Sequence, residues 1–201
     1  MSIGTKGLLV VVSGPSGAGK GTICKELLKT NRDIAVSISS TTRLPRNGEV
    51  QGKNYNFVTL DEFLRRIEED GFIEYAKVYG NYYGTPKKFV EENIQKGRDV
   101  LLEIDIQGAL KVKERYNKGV FVFILPPSMK ELRARIIKRG TEDEREILRR
   151  FESAYKEINY ISRYNYLIIN DRVKTATDKL QSIIDAEKCR VDRFKMKLIG
   201  C

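Results

Sequence analysis

Short apolar runs alternate with longer amphipathic segments along most of the chain. Runs of consecutive apolar residues, many of them β-branched, are typical of strands that are buried on both faces. They predict central strands at Leu8–Ser13, Val100–Asp105, Val120–Leu125 and Tyr166–Ile169. The intervening patterns predict helices from Lys20 to about Lys29 and, as a long closing element, from Val173 to roughly Leu198. Strands that alternate with helices imply a parallel α/β sheet with its ligands at the carboxyl ends of the strands.

Residues from about 39 to 88 interrupt this alternation with shorter elements. A polar loop (39–48) is followed by a strand at Tyr55–Val58, and Thr59 with Glu62 forms a capping box for a helix over Asp61–Asp70. The pattern then predicts a strand at Phe72–Tyr79, a turn at Gly80–Gly84, and a helix that starts at Thr85-Pro86 and stops at Gly97. We expect one domain (1–201) in which this segment is a lobe inserted at the mouth of the sheet.

A glycine-rich turn lies between the first strand and the first helix. It reads Gly14-Pro15-Ser16-Gly17-Ala18-Gly19-Lys20-Gly21-Thr22. Glycines let the backbone curl so that several N–H groups point at one anion, and the helix that follows adds its positive dipole end. The spacing predicts a phosphate-binding loop, with Lys20 near the β- and γ-phosphates of a nucleotide. Gly21 stands where this motif usually carries the Ser or Thr hydroxyl that binds Mg²⁺.

Composition narrows the chemistry that is available. The net charge of +10 suggests anionic partners, either nucleic acid or free nucleotides. The absence of histidine excludes His-based acid–base catalysis and His-ligated metals. The three cysteines show no paired spacing, so neither a zinc cluster nor a disulfide framework is indicated, and we expect a soluble cytoplasmic protein without a membrane anchor.

Several polar residues of the inserted lobe have two interpretations each. Arg43 and Arg46, three apart in a Pro-containing loop, are either a clamp for a second phosphate or solvated surface arginines. Glu74, within Phe72-Ile73-Glu74-Tyr75, is either an outward-facing charge or a carboxylate that accepts two hydrogen bonds from guanine. Three tyrosines of the lobe either pack or donate hydroxyls to a phosphate. They are Tyr55, Tyr82 and Tyr83.

Two further groups are candidates on the sheet and the following helices. Glu103 and Asp105 end a predicted strand on one side of it, where nucleotide enzymes place a carboxylate near Mg²⁺. Arginines crowd a segment around Gly140, as either a salt-bridged surface or a mobile lid that closes over a phosphoryl group. They are Arg133, Arg135, Arg139, Arg145, Arg149 and Arg150.

Together these motifs resemble the guanylate kinases, from about Leu8 to Glu187. The matching stretches are Ser13–Lys20, Ser39–Glu49 with Tyr55-x-Phe57, Phe72–Glu74, Gly80–Gly84, Asp105–Gly108 and Arg139–Glu142. The resemblance implies a P-loop three-layer α/β fold with a parallel core sheet (about 1–38, 89–128 and 156–201), a GMP-binding lobe (39–88) and a helical lid (129–155). It implies the reaction of ATP and GMP to ADP and GDP, with Mg²⁺ as cofactor, and it does not distinguish GMP from dGMP.

The resemblance also implies roles for single residues. Those expected to stabilise the transferring group are Lys20, Arg135, Arg139 and Arg150. Those expected around GMP are Ser39, Glu74, Thr85 and Asp105 at the base and Arg43, Arg46, Tyr55 and Tyr83 at the phosphate. ATP is expected on Gly14–Thr22, with its adenine near Asn170. Because Gly21 lacks a hydroxyl, we expect Mg²⁺ to be carried by ATP and water, near Glu103 or Asp105.

Three alternatives compete with this interpretation. Another nucleoside monophosphate kinase would use the same loop without reading guanine at Glu74. A non-catalytic guanylate-kinase-like binding module would not need Lys20, the paired arginines and the lid arginines together. An RNA-binding protein would fit the charge, but the chain carries no aromatic RNA-recognition motif and no basic tract.

Overall fold

A five-stranded parallel sheet forms the centre of the computed structural model, which describes residues 6–78, 80–138 and 144–193. In chain order the elements are β1 (Leu9–Ser13), α1 (Lys20–Thr30), β2 (Ala35–Val36), β3 (Ser40–Thr41), β4 (Asn56–Phe57), α2 (Leu60–Glu68), β5 (Phe72–Val78), β6 (Asn81–Pro86), α3 (Lys87–Gln95), β7 (Val100–Glu103), α4 (Ile106–Arg115), β8 (Val120–Leu125), α5 (Met129–Lys138), α6 (Glu144–Ile158), β9 (Tyr166–Ile169) and α7 (Val173–Lys188). The strands of the central sheet are ordered β2-β7-β1-β8-β9. The predicted α/β class and parallel core are confirmed.

Helices cover both faces of this sheet because its strands are apolar on both sides. Val10 and Val12 of β1 pack on one face with side chains of α1 and α7, such as Leu27 and Leu180. Val11, on the opposite face, packs in a second cluster with residues of α3 and α4. Each fully buried apolar side chain contributes about 1.5–3 kcal/mol, so the three layers are held together chiefly by this burial.

A smaller four-stranded sheet, in the order β4-β3-β6-β5, is built from the interrupting segment. Its longest pairing is antiparallel, and it places Glu74 of β5 opposite Thr85 of β6. Phe63 of α2 stacks on Phe72 with ring centroids 4.5 Å apart and anchors the helix to this sheet. The capping box is confirmed at its first residue, since the Thr59 hydroxyl accepts a hydrogen bond from the Glu62 N–H.

The prediction for residues 80–86 relied on local turn residues and differs from the structure. The turn predicted over Gly80–Gly84 is wrong beyond Gly80, whose φ of 82° suits a turn, because Asn81–Pro86 pairs with β5. The helix start predicted at Thr85-Pro86 is also wrong. Thr85 belongs to the strand, and α3 begins at Lys87. A two-residue strand, β3, likewise lies inside the segment predicted as loop. Cross-strand pairing outweighs the turn preference of Asn and Gly at these positions.

The end of one strand and the end of the closing helix also differ from the prediction. The strand expected to run to Asp105 ends at Glu103, and Asp105 instead caps α4, a helix that was not predicted, by accepting a hydrogen bond from the Gly108 N–H at 2.8 Å. The closing helix ends at Lys188 rather than near Leu198, and residues from 194 onward lie outside the described part. After Lys188 the chain folds back, since Arg193 pairs with the carboxylate of Glu187. No helix in the described part is both long and apolar enough to cross a membrane.

Candidate nucleotide-binding site

The glycine-rich turn joins the carboxyl end of β1 to the start of α1. Gly14, Gly17 and Gly19 have φ angles of 139°, 89° and 92°, a region that L residues with a Cβ rarely adopt. At Gly14 a Cβ would lie 2.2 Å from the carbonyl oxygen of Ile124. The first turn of α1 carries no acidic residue, and Gly19 provides no side-chain cap, so the free N–H groups of the helix start can take an anion.

Lys20 lies at the first position of α1 and folds back over this turn. Its Nζ donates hydrogen bonds to the carbonyl oxygens of Gly14 at 2.5 Å and Pro15 at 3.1 Å. Burial lowers the pKa of Lys20, while the carboxylates of Glu103, Glu157 and Asp105 act in the opposite direction. The ammonium therefore sits at the centre of the turn, where a phosphate can replace its carbonyl partners.

Asn170, which directly follows the edge strand β9, contacts the turn. Its side chain is buried, and its Nδ2 donates to the carbonyl oxygen of Ala18 at 2.8 Å. A Cβ on residue 19 would lie 2.3 Å from this nitrogen. The position of the Asn170 side chain therefore requires glycine at position 19. The Asn170 carbonyl oxygen in turn accepts a hydrogen bond from Arg135 Nη2 at 3.2 Å, while Arg135 Nε donates to Glu131 at 2.9 Å. This network places one predicted lid arginine beside the glycine-rich turn.

A cleft of about 610 Å³ opens at this turn. The predicted residues Gly14, Lys20, Glu103 and Asp105 line it. Among the lining residues that sequence reasoning missed are five polar ones from β5 and from the region of α6. They are Lys77, Ser153, Lys156, Glu157 and Tyr160. A signal for part of this set was present, because Ser153, Lys156, Glu157 and Tyr160 follow a spacing of three and four residues, which puts them on one helical face.

A second cleft of about 330 Å³ adjoins the first and reaches into the smaller sheet. It brings together most of the residues predicted around GMP, namely Ser39, Arg46, Tyr55, Glu74, Tyr83 and Asp105. Both clefts are lined by Lys20, Glu103 and Asp105, so a ligand in one meets a ligand in the other at these side chains. Of the same predicted set, Arg43 and Thr85 do not line this cleft and act on residues that do.

Glu74 lies at the inner end of the second cleft. Only 7% of it is exposed, so its interpretation as an outward-facing charge is wrong. The Thr85 hydroxyl donates to its Oε1 at 2.7 Å, and a Cβ on Gly108 of α4 would lie 2.8 Å from its Oε2. Burial raises the pKa of Glu74 to about 7, and the Asp105 carboxylate adds to this, while the hydrogen bond from Thr85 opposes it. A buried carboxylate with few partners is suited to recognise paired N–H donors.

The two arginines of the 43–49 loop have different surroundings. Arg46 is exposed and lines the second cleft. The Arg43 side chain is only 14% exposed, and its Cζ lies 5.4 Å from the ring centroid of Tyr55, so for Arg43 the interpretation as a solvated surface arginine is wrong. Tyr55 also packs edge-on against Tyr83, with centroids 5.9 Å apart. Arg43 therefore supports the tyrosines that line the cleft.

The carboxylate of Glu103 faces the start of α1. A Cβ on Gly21 would lie 3.1 Å from Glu103 Oε1, so the missing side chain leaves room for this group. Within the described residues, no three His, Cys, Asp or Glu side chains are arranged to hold a metal ion. Glu103 and Asp105 offer the oxygen ligands that Mg²⁺ prefers, beside the predicted phosphate site. Arg139 lies outside the described residues, as does the side chain of Arg150.

Comparison with known proteins agrees with this geometry. The sequence profile of the guanylate kinase family matches residues 6–187. The chain belongs to the guanylate kinase family. A guanylate kinase of Caldanaerobacter subterraneus subsp. tengcongensis is 66% identical over 195 residues, which cover 97% of this chain and 95% of the relative. One of Clostridium tetani is 64% identical, with coverage of 96% and 93%.

A solved structure extends the similarity to the fold. The guanylate kinase of Anaplasma phagocytophilum superposes with a TM-score of 0.81 at 37% identity, covering 96% of this chain and 92% of that one. The match of a guanylate kinase to nearly the full length confirms the resemblance seen in the motifs and the fold that it implied. The relatives and the solved structure are themselves named guanylate kinases, which favours the enzyme over the binding module and the RNA-binding protein.

Proposed function

We propose that this guanylate kinase family member transfers the γ-phosphoryl group of ATP to the phosphate of GMP, forming ADP and GDP. The observation that carries the proposal is the pair of adjoining clefts, one at the phosphate-binding turn and one ending at the buried carboxylate of Glu74. Guanine presents a ring N–H and an exocyclic amine that a carboxylate can accept together, whereas adenine presents a ring acceptor at that place. Two anions are thereby brought together around Lys20.

Catalysis by these residues is electrostatic. The free N–H groups of the turn and Lys20 hold the β- and γ-phosphates, and Arg46, Tyr55 and Tyr83 hold the GMP phosphate. An oxygen of that phosphate attacks the γ-phosphorus, the bond to the bridging oxygen breaks, and ADP leaves with the electron pair. The GMP phosphate is already ionised near neutral pH, so the step needs no general base.

We also propose a role for Mg²⁺ and separate roles for three parts of the chain. Glu103 would hold the ion, directly or through water, and the bound ion would neutralise charge on the phosphates of ATP. Residues 39–88 would act as the GMP-binding lobe and 129–155 as a lid on the remaining core. Arg135, which already touches the backbone of Asn170, would meet the transferring group together with Arg139 and Arg150. Ser39, Thr85 and Asp105 would complete the guanine site.

The direct test measures ADP release with ATP and each of GMP, AMP, dTMP and UMP. We expect GMP to exceed the others in kcat/KM by at least about 10³-fold, because a buried carboxylate left unpaired by the wrong base is costly. A preference for AMP, or equal rates for all four nucleotides, would contradict the assignment to GMP. Turnover of none of them would contradict the proposed reaction.

The raised pKa of Glu74 gives a pH dependence that can be measured without the phosphate. Guanosine binding should be independent of pH above about 7 and weaken by up to about tenfold per pH unit below it, because the protonated carboxyl must first lose its proton. Guanosine replaces GMP so that titration of the phosphate does not contribute. Isothermal titration calorimetry from pH 5.5 to 8.5 checks the prediction, and Glu74→Gln should remove the dependence. An equally steep profile in the variant would show that another group titrates.

A further inference from the structure

The loop that carries Arg43 and Arg46 is organised around one carboxylate, that of Glu49. Arg43 Nη2 donates to Oε1 and Oε2 of Glu49, both at 2.9 Å. The backbone N–H of Arg46 donates to Oε2 at 2.8 Å, and the Glu49 N–H donates back to the Arg46 carbonyl oxygen at 3.0 Å. The Arg43 and Glu49 side chains are 14% and 19% exposed, so their ion pair is partly shielded from water. One carboxylate thus closes the turn and binds a guanidinium.

The other contacts of Arg43 leave its guanidinium little freedom. Nη1 donates to the Leu44 carbonyl oxygen at 2.7 Å, and Cζ lies 5.4 Å and 5.9 Å from the ring centroids of Tyr55 and Phe57. A free arginine side chain carries about 2 kcal/mol of rotamer entropy, which is lost when a ligand orders it. Here contacts within the protein itself order the guanidinium, which is how a binding loop is preorganised.

A carboxylate at position 49 is not what charge complementarity with a bound phosphate would predict. An extra negative charge beside an anion-binding cleft weakens phosphate binding through Coulomb repulsion. Burial also opposes ionisation of Glu49, yet the Arg46 N–H and the Arg43 guanidinium hold its pKa below the usual value, so it is charged at neutral pH. Charge counting therefore predicts that neutralising Glu49 strengthens GMP binding, whereas preorganisation predicts that it weakens it.

We propose that Glu49 is a positioning residue that orients Arg43, and through it the cleft-lining Tyr55, for the phosphate of GMP. It does not touch the nucleotide itself and acts through Arg43. The inference rests on the proposed function, because it assumes that GMP occupies the second cleft.

The test compares Glu49→Gln with wild type in calorimetric binding of GMP and of guanosine. We expect about tenfold weaker GMP binding, with guanosine binding within about twofold of wild type, because one charge-assisted contact is worth about 1.5 kcal/mol. The matched control is Glu62→Gln, which removes a carboxylate from the Arg66–Glu62 pair on α2. The control should change neither affinity. A thermal melt and ATP affinity within error of wild type verify that each variant is folded.

A second variant separates positioning from a general effect on the loop. In an Arg43→Ala background, Glu49→Gln should leave GMP affinity unchanged, because the residue through which it acts is absent. Unchanged or stronger GMP binding by Glu49→Gln alone, or an equal loss for GMP and guanosine, would overturn the inference. If wild type binds guanosine as tightly as GMP, or binds neither, the proposed function fails first.

Discussion

Lys20→Ala should lower kcat of the ATP- and GMP-dependent reaction by about 10³-fold or more, because it removes the one charge held at the centre of the phosphate-binding turn. Lys20 Nζ already lies on the carbonyl oxygens of Gly14 and Pro15, so the ammonium needs little movement to meet a phosphate. A coupled assay of ADP release measures the loss, and circular dichroism should show an unchanged fold.

The matched control for this variant is Lys25→Ala. Lys25 is an exposed lysine of the same helix, so its replacement removes equal charge from α1 without changing the turn. We expect kcat within about twofold of wild type for this control, as surface charges contribute little. Activity of Lys20→Ala near that of Lys25→Ala would contradict the proposed mechanism.

Glu74→Gln should reduce kcat/KM for GMP by about 10²- to 10³-fold and leave the KM for ATP nearly unchanged. Glutamine keeps an oxygen that can accept from Thr85, but it loses the second acceptor and the charge that guanine's two N–H groups require. Steady-state kinetics with each substrate varied in turn measure the two effects separately. The control is Glu69→Gln, an exposed position at the end of α2. Equal losses for both substrates would indicate that Glu74 has a structural role.

The same substitution should stabilise the protein at pH 8. Because burial raises the pKa of Glu74 from 4.5 to about 7, the folded state holds a proton between these values that the unfolded state has lost. Stability therefore falls as the pH rises through this window, by about 3 kcal/mol in total, and the deficit persists above it. Glu74→Gln carries no such charge, so its urea midpoint should exceed that of wild type at pH 8 and match it near pH 4.5. A lower midpoint at pH 8 would contradict the pKa shift.

The elements that were predicted correctly are those that a local sequence pattern determines. The strand and helix around the phosphate-binding turn were predicted closely, since an apolar run and a glycine spacing are local features, and β9 was predicted with its observed bounds. By contrast, the first part of β6 was interpreted as a turn because Gly80-Asn81 and Gly84 flank its two tyrosines, and only its pairing with β5 makes it a strand. Helix α4 was missed because its cap, Asp105, was read as the end of a strand.

The environment of single side chains was the least predictable part of the site. Glu74 is buried because α4 presents Gly108 to it from a distant part of the chain, and no local pattern around residue 74 reports this contact. Glu49 belonged to a recognised motif, yet its partners depend on how the 43–49 loop turns. A spacing of six residues brings two side chains into contact neither along a helix nor along a strand, so the pairing of Glu49 with Arg43 was not expected.

The contact between Gly19 and Asn170 couples the edge strand β9 to the phosphate-binding turn. Asn170 follows β9 directly, and its amide supports the backbone on which the nucleotide's phosphates would rest. Any event that loosens this border of the sheet, whether a proteolytic nick, a local opening or a remote substitution, also releases the nucleotide cradle. Loss of enzymatic competence should therefore precede global unfolding whenever denaturation starts from the carboxyl-terminal part of the molecule.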